Sequence, residues 1–180
     1  MCSIGVERKA IRSELVSAGA AITDMEELKS HAPVAKLLAW RPEAVQGAKL
    51  DRAELTVWVD APAIREACEL LRSDAELRFN FLSDLTCVDW HPREPRFEVV
   101  YHLLSIPRHD RVRLKVRLPG GDAVVESITA VWPSANFFER EVFDLFGVHF
   151  LGHPDLRRLL MPDDWEGHPL RKDYPVEGYR

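Results

Sequence analysis

Residues 97–118 read FEVVYHLLSIPRHDRVRLKVRL, and this stretch predicts two paired β-strands. Residues 97–104 are apolar on both faces, as in an interior strand. From residue 112 the chain alternates between apolar and cationic side chains, the pattern of a strand with one buried face. The link between the two is short and contains Pro107, so we expect an antiparallel hairpin. The apolar side chains of the second strand are Val112, Leu114, Val116 and Leu118.

The residues before this hairpin predict two more strands and two helices. Residues 55–59 alternate as a half-buried strand does, and another strand begins at Phe79 and Phe81 and runs towards Trp90. Residues 7–18 have the apolar spacing of a helix.

The second of these helices follows the strand at 55–59. Asp60 is placed to cap its N-terminus, and Pro62 fits the first turn, where a missing N–H does no harm. Apolar residues then recur at i, i+3, i+4 and i+7, so this helix is expected to cover one face of the sheet. They are Ile64, Ala67, Cys68 and Leu71.

A last helix is predicted over residues 134–146. Ser134 or Asn136 can cap it, and Asn136 with Glu139 three residues later resembles a capping box. Gly147 stands where a left-handed C-terminal cap is usual. These elements predict an α+β fold: a mixed or antiparallel sheet of about four strands with helices packed on it, then a helix and an extended C-terminal arm. We divide the chain into an α/β body, residues 1–132, and the motif helix with its arm, residues 133–180.

The last thirty residues contain four prolines and three glycines, so no long helix is expected there. The same segment is rich in Leu, Trp and Tyr, which need cover from water. The chain's own core can cover part of it, and a partner surface explains all of it more simply. The aromatic and arginine content is typical of protein interfaces.

Composition excludes several functional classes. The net charge is -5, which gives no electrostatic basis for nucleic-acid binding. No apolar run is long enough to cross a bilayer, and the N-terminus lacks the pattern of a signal peptide. We therefore expect a cytosolic chain whose membrane contact is indirect. The three cysteines are far apart in sequence and form no metal-binding motif.

Three features of the sequence each allow two interpretations. The cationic face of the second hairpin strand is either solvated or a docking surface for an acidic partner; its members are Arg111, Arg113, Lys115 and Arg117. Three histidines could bind a metal, but glycines and Pro154 interrupt the helix that this would need; they are His149, His153 and His168. An acidic cluster could do acid–base work or bind arginine and lysine, and we favour the second; it comprises Glu139, Glu141 and Asp144.

Three motif runs resemble one known family. They are FEREVFDLFGVHF at 138–150, GHPDLRRLL at 152–160 and WEGHPLRKDYP at 165–175. Upstream, FLSDLT at 81–86 and Val88-Asp89 fit the same pattern more loosely. Together they resemble the 30 kDa subunit family of respiratory NADH:quinone oxidoreductase, which is complex I of the respiratory chain.

The resemblance implies a peripheral subunit on the cytoplasmic side of the bacterial inner membrane. Its expected partners are the quinone-site subunit, which is of the 49 kDa type, and other subunits of the peripheral arm. The whole complex moves electrons from NADH to quinone and translocates protons. The iron–sulfur clusters and FMN are expected in partner subunits and not in this chain, for which we expect no chemistry of its own. Homologous subunits of membrane-bound hydrogenases, formate hydrogenlyases and photosynthetic NDH-type complexes remain the alternative.

The resemblance also implies which residues meet a partner. We assign no catalytic, cofactor-binding or metal-binding residue to the chain. The expected interface consists of Glu139, Arg140, Glu141, Asp144, Gly147, His153, Pro154, Arg157, Arg158, Trp165, His168, Pro169, Arg171, Lys172, Asp173 and Tyr174.

Overall fold

The computed structural model describes residues 21–177, and the helix predicted at 7–18 lies outside them. Four α-helices are present in the described chain: α1 (Met25–Leu28), α2 (Ala32–Trp40), α3 (Ile64–Ser73) and α4 (Ala135–Phe146). Seven strands accompany them: β1 (Val45–Asp51), β2 (Glu54–Val59), β3 (Phe81–Asp89), β4 (Phe97–Ser105), β5 (Asp110–Leu118), β6 (Val124–Glu126) and β7 (His149–Leu151). Short 3-10 turns at Pro42–Ala44 and Ala61–Ala63 precede β1 and α3.

Five strands form one mixed sheet in the order β1-β2-β5-β4-β3. The β4–β5 hairpin is antiparallel, as predicted, and so are the pairs β1–β2 and β3–β4. The central pair, β2 with β5, is parallel. Strands β6 and β7 form a separate parallel pair. The predicted α+β class and mixed sheet are confirmed, with five strands in the main sheet instead of about four.

The extra strand is β1, which the sequence did not predict. Its hairpin with β2 turns through Arg52 and Ala53, both with positive φ, at 52° and 62°. Two-residue hairpin turns with two positive φ angles usually contain Asn-Gly or Asp-Gly, so Arg-Ala gives no recognisable signal. A register shift between Val45 and Gly47 also disturbs the alternation of the strand.

The core lies on one face of the main sheet. Alternate side chains of β2, β4 and β5 meet the apolar stripes of α3 and α4 in one continuous cluster. The predicted apolar face of α3 is fully buried. Residues of α4 and β7 belong to the same cluster as the strands, and β7 pairs with β6 across residue 132. The motif helix therefore shares the core of the body, and the extended arm begins after β7.

Two predicted helix caps are wrong. The Asp60 side chain does not cap a helix: the 3-10 turn intervenes before α3, and the Asp60 carboxylate accepts a hydrogen bond from Gln46 Nε2 at 3.1 Å. At α4, Ser134 occupies the N-cap position without a side-chain hydrogen bond, and Asn136 lies inside the helix. Glu139 points into the core and so cannot complete a capping box. The left-handed Gly147 cap is confirmed, with φ of 75°.

Candidate partner-binding site

Helix α4 carries a carboxyl group on its buried side. Glu139 has no exposed surface; its Oε1 accepts the backbone N–H of Ile128 at 2.7 Å, and its Oε2 lies 2.6 Å from Ser127 Oγ. Burial raises the pKa of Glu139 to about 7, although these two hydrogen bonds act in the opposite direction. The side chain thus ties α4 to the segment that follows β6.

A second carboxylate on α4 holds the beginning of the arm. Asp144 Oδ2 accepts three consecutive backbone N–H groups, from Leu159, Leu160 and Met161, at 2.7–3.0 Å. Its Oδ1 accepts Arg158 Nη1 at 2.7 Å. Burial alone would raise the pKa of Asp144, but the N–H groups and the arginine lower it below its ordinary value. The charged form therefore organises residues 158–161 around the helix.

The arm also satisfies the C-terminal end of α4. The last four carbonyls of a helix have no partner within it. Here the carbonyl of Phe143 accepts from Gly147, that of Asp144 from Arg158 and within 2.9 Å of His168 Nδ1, that of Leu145 from the Leu170 N–H, and that of Phe146 from Arg171 Nε at 2.6 Å. Two arginines at this end also complement the helix dipole.

Gly147 is needed for this arrangement for two reasons. Its φ of 75° is disfavoured for other residues. A Cβ at this position would also overlap the side chains of Arg171 and His168. The glycine thus allows the HPLRKDYP segment to approach the end of the helix.

An ion-pair cluster fastens the far end of the arm to the sheet. Arg96 donates to Asp89 at 2.8 and 3.0 Å and to Asp173 at 2.5 and 2.9 Å. The backbone N–H of Lys172 donates to Asp89 Oδ2 at 2.8 Å. Burial alone would raise the pKa of Asp89, but Arg96 and two backbone N–H groups lower it strongly. The guanidinium groups of Arg96 and Arg171 both lie over the Phe97 ring.

While its polar groups bond to the body, the arm leaves large apolar side chains in water. Leu160 is 60% exposed, Leu170 51% and Trp165 38%, and Phe137 on α4 is 62% exposed. These four residues define what we call the motif surface. A patch of Leu, Trp and Phe rimmed by arginines has the composition of a protein interface.

The motif runs are found in known proteins as well. The family model described as "Respiratory-chain NADH dehydrogenase, 30 Kd subunit" matches residues 57–180. The chain belongs to this family. Three relatives illustrate the similarity, and each is named as the C-type subunit of NADH-quinone oxidoreductase. That of Roseiflexus sp. (strain RS-1) is 52% identical over 78% of this chain and 81% of its own. That of Citrifermentans bemidjiense is 54% identical over 71% and 78%, and that of Geotalea uraniireducens 44% over 87% and 93%.

Two solved structures of the family's fold are similar to this one. The trypsin-resistant fragment of Nqo5 is 32% identical, with a TM-score of 0.57, and covers 69% of this chain and 99% of that one. A chain of the membrane-bound sulfane sulfur reductase, an archaeal respiratory membrane complex, is 30% identical with a TM-score of 0.69, over 82% of this chain and 86% of that one.

The family motif residues fall into two groups in the structure. Glu139 and Asp144 have no exposed surface, and Arg140 is only 9% exposed. For these three, direct contact with a partner is corrected to a supporting role, because each bonds to this chain: Arg140 donates to the carbonyls of Arg157 and Arg158.

The remaining motif residues lie on or near the surface, and their contact with a partner stays a prediction. Several also bond within the chain: His153 contacts the Asn136 carbonyl through Nε2, Arg157 pairs with Asp155, and Tyr174 Oη donates to the Glu166 carbonyl. Side chains exposed at least in part are Glu141, Pro154, Arg157, Trp165, Pro169, Lys172 and Asp173.

The three histidines considered for a metal contact different groups. His149 lies edge-on to the Phe143 ring, whereas His153 and His168 face the carbonyls of Asn136 and Asp144. Within residues 21–177, no group of three or more ligating side chains converges.

Sequence reasoning did not identify the Asp89–Arg96 pair as part of the site. A signal existed for Asp89, since it occupies an inward position of β3 that Leu85 and Cys87 share, and a carboxylate there needs a buried partner. Arg96 precedes an apolar strand and resembles an ordinary surface cation. Ser127 and Ile128 gave no signal, because a backbone N–H or a hydroxyl can bind Glu139 in any sequence.

Proposed function

We propose that the chain is a non-catalytic structural subunit of a proton-translocating NADH:quinone oxidoreductase, in which it scaffolds the quinone-site subunit. One observation carries the proposal. The polar groups of the arm are bonded to the chain itself, whereas the motif surface, Phe137, Leu160, Trp165 and Leu170, stays exposed. A prefolded arm loses little conformational entropy on binding, so its exposed anchors can contribute fully to affinity.

The same proposal places the redox groups elsewhere. Iron–sulfur clusters require cysteine thiolates. Burial raises the pKa of the Cys87 thiol to about 12 and raises that of Cys68 still more, so both side chains behave as small core residues. The clusters and FMN of the complex would then be held by partner subunits.

Attachment to the membrane would be indirect, through those partners on the cytoplasmic side. In the described part of the chain no helix has the length and hydropathy to cross a bilayer.

A test is co-purification of the tagged chain with the quinone-site subunit from the same organism. We expect the Leu160→Glu/Leu170→Glu variant to reduce recovery of that subunit at least about tenfold, the effect of losing 1.4 kcal/mol at a central contact. Ile106→Glu is a matched control, since Ile106 is 52% exposed and lies at the tip of the β4–β5 hairpin. Equal recovery with both variants would refute the role of the motif surface.

A second candidate function has support from one comparison. The likeness to a chain of the sulfane sulfur reductase shows that this fold also occurs in a respiratory complex with another name. The proteins recovered with the tagged chain distinguish the two. A flavin-binding NADH-oxidising subunit supports the first proposal, and a nickel-binding large subunit supports a hydrogenase-type complex.

A further inference from the structure

The main sheet has a second face, directed away from the core. Its side chains follow the strand register: Trp58 lies beside Lys115, Lys115 beside Val100, and Val100 beside Thr86. The buried side chains of α1 to α4 pack with the opposite set of strand residues. Val100 is only 5% exposed, yet it is absent from the core cluster. We call this side of the sheet the open face.

The open face carries aromatic anchors at one end. Trp58 and Trp90 line one depression together with Arg93, Lys115 and Arg117. Trp90 is 41% exposed, and both Lys115 and Arg117 lie over the Trp58 ring. Tryptophan and arginine are the residues most enriched at binding hot spots.

The accessible charge of the open face is positive, although the whole chain carries -5. Glu98 is 3% exposed and lies beneath the cations, where it pairs with Lys115 at 2.5 Å and Arg117 at 3.5 Å. One carboxylate therefore serves two cations. The other ion pair of this face within residues 21–177 joins Arg113 to Glu54, and no carboxylate pairs with Arg93 or Arg111.

From these observations we propose that the open face is a second docking surface, which binds an acidic segment of another protein subunit. Carboxylates of that segment would pair with Arg93, Arg111 and Arg117, and an apolar side chain would lie between Trp58 and Trp90. The cations are spaced along a sheet and mixed with acids, whereas surfaces that bind anionic lipid cluster four to eight cations without them. The proposal concerns the side of the sheet opposite α4 and does not depend on the function of the motif surface.

The experiment places a photo-crosslinking amino acid at position 90 of the full chain in the assembled, membrane-associated complex. We expect crosslinks to a segment of another subunit rich in Asp and Glu, identified by mass spectrometry, with a yield that falls as salt is raised. The same amino acid at position 137 reports the motif surface separately, so failure of one surface is distinguishable from failure of the other.

Charge reversal tests the electrostatic part. Arg93→Glu/Arg111→Glu is expected to reduce the yield at position 90 at least about fivefold, because rim charges control encounter and register. Arg65→Glu/Arg78→Glu changes the net charge equally at exposed sites elsewhere and is expected to leave the yield unchanged. Crosslinks only to lipid, to this chain itself or to a second copy, or no crosslink at all, would overturn the proposal.

Discussion

Glu139 shows how one buried carboxyl group can make the stability of the protein depend on pH. Its pKa is raised by burial from an ordinary 4.5 to about 7. A raised carboxyl pKa means that the folded state binds the proton more tightly than the unfolded state. The resulting stabilisation is complete below pH 4.5 and is lost as pH rises through 7.

The Glu139→Gln variant is expected to remove this dependence. The amide can still accept from Ile128 and donate to Ser127, but it cannot ionise. From the raised pKa, the wild type should lose on the order of 3 kcal/mol of unfolding free energy between pH 4.5 and pH 8, and the variant should lose less. Urea denaturation at several pH values measures this. Glu141→Gln, at an exposed position of the same helix, should follow the wild type.

Asp144 has the opposite sign. The pKa of Asp144 is lowered in the folded state, so its contribution is present above the ordinary carboxyl pKa and is lost as pH falls. In Asp144→Asn, one oxygen becomes an amide that faces either the three N–H groups or Arg158. We expect a loss of roughly 3–5 kcal/mol, typical of breaking a buried ion pair from one side. Thermal or urea unfolding tests it, with exposed Asp163→Asn as control.

At the scale of elements, the arm is held at two places of different strength. Asp173 is 46% exposed at its side chain, whereas Asp89 is 2% exposed. Asp173→Asn should therefore cost less than about 1 kcal/mol of global stability, as for other exposed pairs. It should nevertheless loosen residues 171–174 and speed tryptic cleavage at Lys172. Unchanged cleavage would show that the backbone bond from Lys172 to Asp89 suffices.

The same scale shows what the sequence could predict. Strands β2 to β5 and helices α3 and α4 were predictable because their apolar periodicity matches the face that they bury. Strand β1 was not, because its turn lacks a glycine and its alternation is disturbed. The short pair β6–β7 depends on contact between distant segments, and three residues are too few for a pattern.

The candidate site was predictable as a region and not as a geometry. Its motif residues were found from their resemblance to a family, and a partner was expected from the apolar side chains of the arm. The sequence could not show that Asp144 binds three N–H groups of residues 159–161 or that Arg171 reaches the Phe146 carbonyl. Such bonds depend on where backbone groups lie after folding, which residue identity does not determine.

For the whole molecule, the motif surface predicts self-association of the isolated chain. Phe137 and Leu160 are each at least 60% exposed, and exposed patches of this kind promote aggregation of subunits without their partners. Phe137→Glu/Leu160→Glu should make the isolated chain more monodisperse in analytical ultracentrifugation and leave its melting temperature nearly unchanged. A wild-type chain that is already monomeric at high concentration would contradict this expectation.

The parallel pairing of β2 with β5 has a consequence for how the chain folds. The hairpins β1–β2 and β3–β4–β5 join neighbouring strands, whereas β2 and β5 pair Leu55 with Val112 across an intervening helix and two strands. Closing so long a loop costs entropy before contacts repay it. The three-strand meander should therefore form first and the β1–β2 hairpin dock late. Val57→Ala would then accelerate unfolding more than it slows refolding, and Val116→Ala would slow refolding, as stopped-flow kinetics can measure.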